Sequence, residues 1–435
     1  MREMKDSKVK WLGVIPLEWK VERVKHGFIR KKAEAHQDNP IVLSLARTGV
    51  RERDISNNEG QIAESYYNYN PVDVDDLLIN PMDLYSGANC SISKISGVIS
   101  PAYVNLRYRE GYNPQYYDYY FKLQYWLMAF FAHGKGVSYE NRWTLNAETL
   151  MNYPIIVPTE CEQRKIVDYL DAKCSKIDEI IERQQVIIEK LKEYKLSIIT
   201  EAVTKGLNPD VKMKNSGYEY IGDIPNYWNV CRLRNYGSAQ NGISKGGEYF
   251  GTGFPFVSYG DVYRNYVLPN RLDGLINTTE EERKKYSVEE GDIFFTRTSE
   301  TIEEVGFSAV CNKTIPNATY AGFVIRVRPF IDMLTLGFAK YYFRSKHLRV
   351  YFAKEMNLVT RASLGQDLLK SMPLLVPPKD EQCKIAEYLD KKCNLIDSNI
   401  YEKGRLIIKL QEYKKSLIYE VVTGKRRCSS CLILM

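Results

Sequence analysis

VPTECEQRKIVDYLDAKCSKIDEIIERQQVIIEKLKEYKLSIITEAVT, residues 157–204, returns without a gap as VPPKDEQCKIAEYLDKKCNLIDSNIYEKGRLIIKLQEYKKSLIYEVVT, residues 376–423. At this constant offset of 219, 25 of the 48 positions are identical. They include Glu162-Gln163 with Glu381-Gln382, Tyr169-Leu170-Asp171 with Tyr388-Leu389-Asp390, and Glu193-Tyr194-Lys195 with Glu412-Tyr413-Lys414. A weaker match pairs Met4–Arg23 with Met213–Arg232, where 9 of 20 positions agree around Gly13, Ile15-Pro16 and Trp19 against Gly222, Ile224-Pro225 and Trp228. Between these anchors the two stretches do not align. The chain therefore reads as a duplication whose scaffold repeats while its globular contents differ.

The repeated segments read as helices. Gln163 to Thr204 contains neither proline nor glycine, and its apolar residues fall at heptad spacing. One register gives the seam Ile166, Leu170, Ile177, Ile180, Ile187, Leu191, Tyr194 and Ile198. The second copy gives Ile385, Leu389, Ile396, Leu406, Leu410, Tyr413 and Leu417, interrupted by Lys392, Asn399 and Lys403. Such a stripe buries itself against another helix. Prolines precede each segment, Gly206, Asn208 and Pro209 stop the first, and Gly424 ends the second. A helix of about 43 residues is roughly 65 Å long at the usual rise. If a pseudo-twofold axis relates the halves, the second helix returns antiparallel to the first as a coiled coil, and two domains are held apart as a dumbbell.

The expected class is α+β, with a mixed, strand-rich domain over residues 1–156, a helical spacer over 157–208, a second such domain over 209–375, a second spacer over 376–424, and a tail. GFPFVSYGDVYRN and EEGDIFFTRTSE read as short strands ending in polar turns, and AGFVIRVRP alternates with period two. PIVLSLARTGVRERD and VDVDDLLINPMD stand at comparable places in the first half, while Tyr117–Phe131 and Met333–Phe352 have helical period. With 435 residues, 44% hydrophobic and 26% charged, the chain is long enough for two or three domains with cores of their own. A net charge of +7 suits a polyanionic partner but is too mild to demonstrate one. No apolar run is long enough to span a membrane, and the charged start MREMKDSKVKW suggests a cytoplasmic protein.

Signatures of catalysis are absent or incomplete. No G-x-x-x-x-G-K-[ST] occurs, so no triphosphate cradle is expected. Asn80-Pro81-Met82-Asp83 superficially resembles the N-P-P-[YF] motif of adenine methyltransferases, but lacks the second proline and the aromatic; a turn is the better reading. FGTGF at 250–254 has no apolar strand before it and reads as a loop. The four histidines form no ligand cluster, and Cys428-x-x-Cys431 lacks a second pair. The expectation is no metal, no catalytic residue, and a non-catalytic chain. An enzyme acting alone, or a coiled-coil scaffold blind to sequence, are the competing classes.

The order domain, helix, domain, helix, with I-P-x-x-W opening each half, a G-D-I-F-F-T-R strand and a P-x-x-x-E-Q-x-K-I-x-x-Y-L-D-x-K helix start, resembles the specificity subunits of type I restriction-modification systems. The first half departs from the strand pattern, with Val74-Asp75-Asp76-Leu77-Leu78-Ile79-Asn80 where the second has Gly291-Asp292-Ile293-Phe294-Phe295-Thr296-Arg297. The resemblance implies that each domain is a target recognition domain reading one half of a split, asymmetric DNA target. It also implies two modification subunits, which bind S-adenosylmethionine and methylate adenine, and restriction subunits driven by ATP and Mg, with no cofactor bound by this chain.

DNA reading needs cations for phosphates and Arg, Asn, Gln, Ser or Thr for base edges. Candidates in the first domain are Ser44, Arg47, Thr48, Arg51, Tyr139, Asn141 and Arg142; in the second they are Lys245, Tyr259, Arg264, Arg297, Thr298, Ser299 and Arg361. Off the helical seam, Ile181, Ile188, Ile199 and Val203 with Ile400, Ile407, Ile418 and Val422 form a second apolar face, the expected dock for modification subunits.

Overall fold

In a computed structural model of the chain, the described residues are 2–37, 39–55, 63, 65–82, 84–85, 89–136, 143–299, 305–355 and 362–428. Two compact units form: one takes in residues 1–184 with 405–435, the other 185–404. Each owns part of both long helices, so the spacers are built into the units rather than standing outside them.

The first unit is organised by a four-stranded antiparallel sheet. Its strands are β1 (Phe28–Lys31), β4 (Leu77–Ile79), β5 (Cys90–Ile92) and β6 (Val104–Tyr108), in the order β1-β6-β4-β5, and a hairpin of β2 (Leu43–Ala46) and β3 (Gly49–Glu52) accompanies it. Leu77 and Ile79 face a large core with helix α1 (Pro114–Trp126), whereas Leu78 faces a smaller one with Leu43, Leu45, Val72 and Ile99. Both faces are covered, so the strand is apolar throughout instead of alternating. The long helix α2 (Glu160–Lys205) begins in this unit.

In the second unit the sheet has strands β7 (Gly237–Asn241), β9 (Ile293–Thr296), β10 (Ser308–Val310) and β11 (Val324–Pro329), with β8 (Phe250–Val257) and the short helix α3 (Tyr259–Arg264) on its second face. Its order, β7-β11-β9-β10, is that of the first unit. Helices α4 (Leu336–Tyr342) and α5 (Lys346–Glu355) cover the larger core, and α6 (Lys379–Val422) is the second long helix.

The two strands whose sequences diverge are equivalent one residue out of the expected register. Asp75 has φ +66°, the left-handed conformation that Gly291 holds at φ +92°, so Asp75 replaces the glycine and Asp76 stands where Asp292 does. Both aspartates are fully buried. Asp76 receives Arg107 at 3.1 Å and Lys31 at 2.7 Å; Asp292 receives Arg328 at 2.6 and 2.7 Å. Each also closes its own turn, Asp73 N–H donating to Asp76 at 2.8 Å and Glu289 N–H to Asp292 at 2.7 Å. The Asp292 carboxylate raises the pKa of Arg328, and Asp76 does the same for Arg107.

The repeated motif is a set of hydrogen bonds. Trp19 Nε1 donates to Glu162 at 2.8 Å, and Trp228 Nε1 to Glu381 at 3.0 Å. The buried Gln163 accepts from Asn113 N–H at 2.7 Å at the head of α1, and Gln382 from Thr335 N–H at 2.7 Å at the head of α4. Tyr119 and Tyr341 donate to Asp171 and Asp390, both at 2.6 Å. A Cβ on Gly206 would press on the Glu381 carboxylate and the Trp228 ring, and one on Gly424 would collide with Pro16 and Trp19. Each I-P-x-x-W tryptophan thus joins the start of one long helix to the end of the other.

Within each unit the two helices run antiparallel. In the first, Lys414 bonds both oxygens of Asp178 at 2.6 and 2.7 Å; in the second, Lys195 bonds both of Asp397 at 2.7 and 2.8 Å, the same pair at the repeat offset. The seam, however, is rotated from the expected one. Leu170, Cys174, Ile177, Ile181, Ile188, Leu191, Ile198 and Ala202 turn inward, while Ile180, Ile187 and Tyr194 are exposed. The second copy repeats this, with Leu389, Cys393, Ile396, Ile400, Ile407, Leu410, Leu417 and Val421 inward and Leu406 and Tyr413 exposed.

The other expected elements are found with local differences. The Tyr117–Phe131 helix begins at Pro114 and breaks at Met128, which has φ +55°. Met333–Phe352 divides into α4 and α5 around Phe343–Ser345. FGTGF lies in β8 instead of a loop: Phe250 and Phe254 both pair with Ile276, which makes Gly251 to Gly253 a bulge. Asn80 Oδ1 accepts from Met82 N–H at 2.9 Å, the turn expected there. No helix among the described residues is long and apolar enough to cross a membrane.

Candidate nucleic-acid interface

In the second unit four connections meet at one end of the sheet, beyond Asn241, Thr296 and Val324. Gly242 N–H donates to Val324 O at 3.1 Å, Gly322 N–H to Ile243 O at 2.7 Å, Ala321 N–H to Val257 O at 3.0 Å, and Arg297 N–H to Phe323 O at 2.9 Å. Four of the candidates, Lys245, Tyr259, Arg297 and Thr298, are on these connections, and Arg264 is exposed at the end of α3. Ser299 pairs through its backbone with Ala362. Arg361 lies outside the described residues.

The candidates differ in how free their groups are. Lys245 is already engaged: its ammonium bonds Glu282 at 2.7 Å and Asn277 O at 3.0 Å. That bond holds the Glu282 carboxyl below the usual carboxylate range. Lys245 is therefore tied into the wall of the site. Arg297 has one long bond, to Gly322 O at 3.5 Å, and is half-exposed. Tyr259 stacks on Tyr263 at 5.8 Å, and its hydroxyl is buried without a hydrogen-bond partner among the described residues.

In the first unit Arg47 and Thr48 form the exposed turn of the β2–β3 hairpin, and Ser44 lies opposite the exposed Arg51, its hydroxyl reaching Arg51 O at 3.5 Å. Tyr139, Asn141 and Arg142 lie outside the described residues. Their stem is described: Lys135 and Thr144 pair, and Leu145 N–H donates to Pro81 O at 2.8 Å, beside the end of β4. This is the same sheet end that gathers the candidates of the second unit.

Sequence reasoning missed Phe323, which is 63% exposed beside Arg297 although it sits inside an apolar run. Only its turn position, after Ala321-Gly322, could have marked it. Nor did sequence reasoning single out Arg344 and Arg349, which bond backbone carbonyls beneath these connections.

The expected docking face needs correction. Ile199, Val203, Ile418 and Val422 are wholly buried in the units' own cores, and Ile181 and Ile400 pack against the same cores. They cannot receive another protein, because the cores already use them. Ile188 and Ile407 are half-buried on that seam. The exposed apolar residues are instead Ile180, Leu406, Ile408 and Tyr413 on the first unit, and Val186, Ile187, Tyr194, Leu395 and Tyr401 on the second. Among the described residues, no group of three or more His, Cys, Asp or Glu could hold a metal ion.

Residues 228–410 match the family described as type I restriction modification DNA specificity domain. This segment is similar to type I specificity domains. Over 422 residues, 93% of this chain and 84% of the relative, the sequence is 21% identical to the type I restriction enzyme EcoBI specificity subunit of Escherichia coli. It is 24% identical over 286 residues to the EcoKI specificity subunit of Escherichia coli strain K12, covering 63% of this chain and 58% of that one. Two solved structures share the fold. One, from work on complex assembly and conformational transition of the type I R-M system, has a TM-score of 0.69 at 15% identity, covering 95% of this chain and 99% of that one. The HsdS subunit of Thermoanaerobacter tengcongensis has a TM-score of 0.50 at 16% identity, covering 95% and 98%. The family likeness first drawn from the motifs thus reappears in the specificity domain, the relatives and the fold.

Proposed function

We propose that this chain is the non-catalytic, sequence-reading subunit of a type I restriction-modification enzyme, acting in the cytoplasm. Each unit reads one half of a split, asymmetric target. The helices pair as an antiparallel coiled coil that sets the unread spacer. Two modification subunits, carrying S-adenosylmethionine, dock on the exposed apolar residues of the helices and methylate adenine; restriction subunits using ATP and Mg cleave unmodified DNA.

The observation that carries this reading is the contrast between scaffold and loops. The same sheet order, buried Asp–Arg pair and motif hydrogen bonds occur in both units, while the loops at the reading end share no sequence. One mould with two different surfaces suits two different half-sites. Arg47 and Arg51 on one unit and Arg297 on the other supply guanidiniums for base edges or phosphates.

The test is to express the chain with and without its methyltransferase partner and map adenine methylation across the host genome. A split, asymmetric motif that needs both proteins is expected. Methylation by the partner alone, or an undivided motif, would overturn the reading.

A further inference from the structure

Two arginines that no motif marked lie beneath the reading end of the second unit. Arg344, buried between α4 and α5, donates through Nε to Ser308 O at 2.6 Å. Its Nη2 reaches the carbonyls of Val262, Tyr263 and Asn265 at 2.6, 3.0 and 2.7 Å. One guanidinium thus joins the end of α3 to the strand that follows the Arg297 connection. Arg349, on α5, donates to the carbonyls of Val305 and Gly306. Both guanidiniums stack on Phe307, at 5.2 and 4.9 Å. Phe307 in turn meets Tyr263 at 5.0 Å, and Tyr263 stacks on Tyr259.

Every one of these bonds goes to a backbone carbonyl, so what is held is chain geometry rather than a neighbouring charge. Arginine suits such bracing, because its planar fork can bond several carbonyls at fixed angles while its faces stack on rings. Gly306 adds to the constraint, since it has φ +71° and a Cβ there would strike Phe352. The end of α3 and residues 305–308, where the chain re-enters the sheet after Arg297, are therefore fixed to each other from below.

We propose that Arg344 and Arg349 are specificity-positioning residues, which set the base preference of the second unit by holding its two reading connections at one separation without touching DNA. This rests on the reading of that unit as a half-site reader. Loss of the bracket lets the connections move apart, so noncognate base pairs are accepted at that half-site while the other is read as before.

The test uses the full chain assembled with its methyltransferase partner. Methylation kcat/KM is measured on duplexes carrying single base-pair changes in either half-site, for the wild type and for Arg344→Lys, Arg349→Lys and Phe307→Leu. The preference for cognate over substituted duplex is expected to fall at least tenfold in one half-site and stay unchanged in the other, with assembly intact. Unchanged preference in both, equal loss in both, or failure of all three variants to assemble would overturn the proposal. A wild-type complex without preference at either half-site would instead overturn the reader role itself.

Discussion

The Trp228 indole closes a unit by itself: its N–H binds Glu381 near the start of α6, and its ring covers Gly206 past the end of α2. Trp228→Phe keeps an aromatic ring, though a smaller one, and deletes the bond, so unfolding free energy should fall by about 1–2 kcal/mol. Trp228→Ala should cost about 3–5 kcal/mol, because a fully buried ring leaves a cavity. Urea titration of both variants checks the order. His347 supplies a pH test at the same scale. Burial, with the Arg349 charge adding to it, holds its pKa down at about 3, against 6.5 as the ordinary value. As pH falls below about 6.5 the unfolded chain takes up a proton that the folded chain refuses, so this contribution is whole above that pH and shrinks as pH drops toward 3. Each unit below 6.5 should remove about 1.4 kcal/mol. His347→Gln should reduce the difference in urea midpoint between pH 7.5 and 5.5; an unaltered difference would contradict this account.

Elements show where the sequence is legible and where physics leaves it open. The long helices and their ends follow from identical residues at a fixed offset; their tie to I-P-x-x-W shows only in the structure, where a tryptophan, a glutamate and a left-handed glycine meet. The face of the seam does not follow. Ile180-Ile181 and Ile187-Ile188 are doublets, and either member continues a heptad from Leu170, Ile177 and Leu191; only the partner helix decides between them. The register of β4 in the first unit is hidden for a similar reason, since Asp75 does the work of a glycine and no pattern reveals a positive φ on aspartate. The rotated seam has a direct test. Ile177→Ala and Ile396→Ala should each cost about 2–4 kcal/mol, whereas Ile187→Ala and Leu406→Ala should change stability by less than about 1 kcal/mol. Under the proposed docking, Ile187→Lys with Leu406→Lys should leave the thermal midpoint within a few degrees and abolish capture of the methyltransferase subunit in a pull-down.

For the molecule as a whole, the question is whether two units with one mould act as two independent readers. Candidate arginines that reach solvent occur in both units: Arg47 on the hairpin turn and Arg51 on β3 of the first, Arg264 at the end of α3 and Arg297 just past β9 in the second. Substitutions with no shared partner act additively, so under the proposed function changing the candidates of one unit should leave the other unit's preference intact. In cells carrying the full system, Arg47→Ala with Arg51→Ala should relax or lose one half of the methylated motif, and Arg297→Ala the other half, with each unaltered half still required. A guanidinium bidentate to guanine is worth about 1–3 kcal/mol of discrimination, enough for one position to become degenerate in a methylation map. If one of these arginines meets phosphate instead, its loss weakens binding to all sequences alike and makes the salt dependence shallower, by about one unit of slope. The outcome that no independent-reader account survives is a single arginine change that alters base preference in both halves together: the two units would then have to read DNA as one surface, and the duplicated scaffold would serve some purpose other than placing two separate readers.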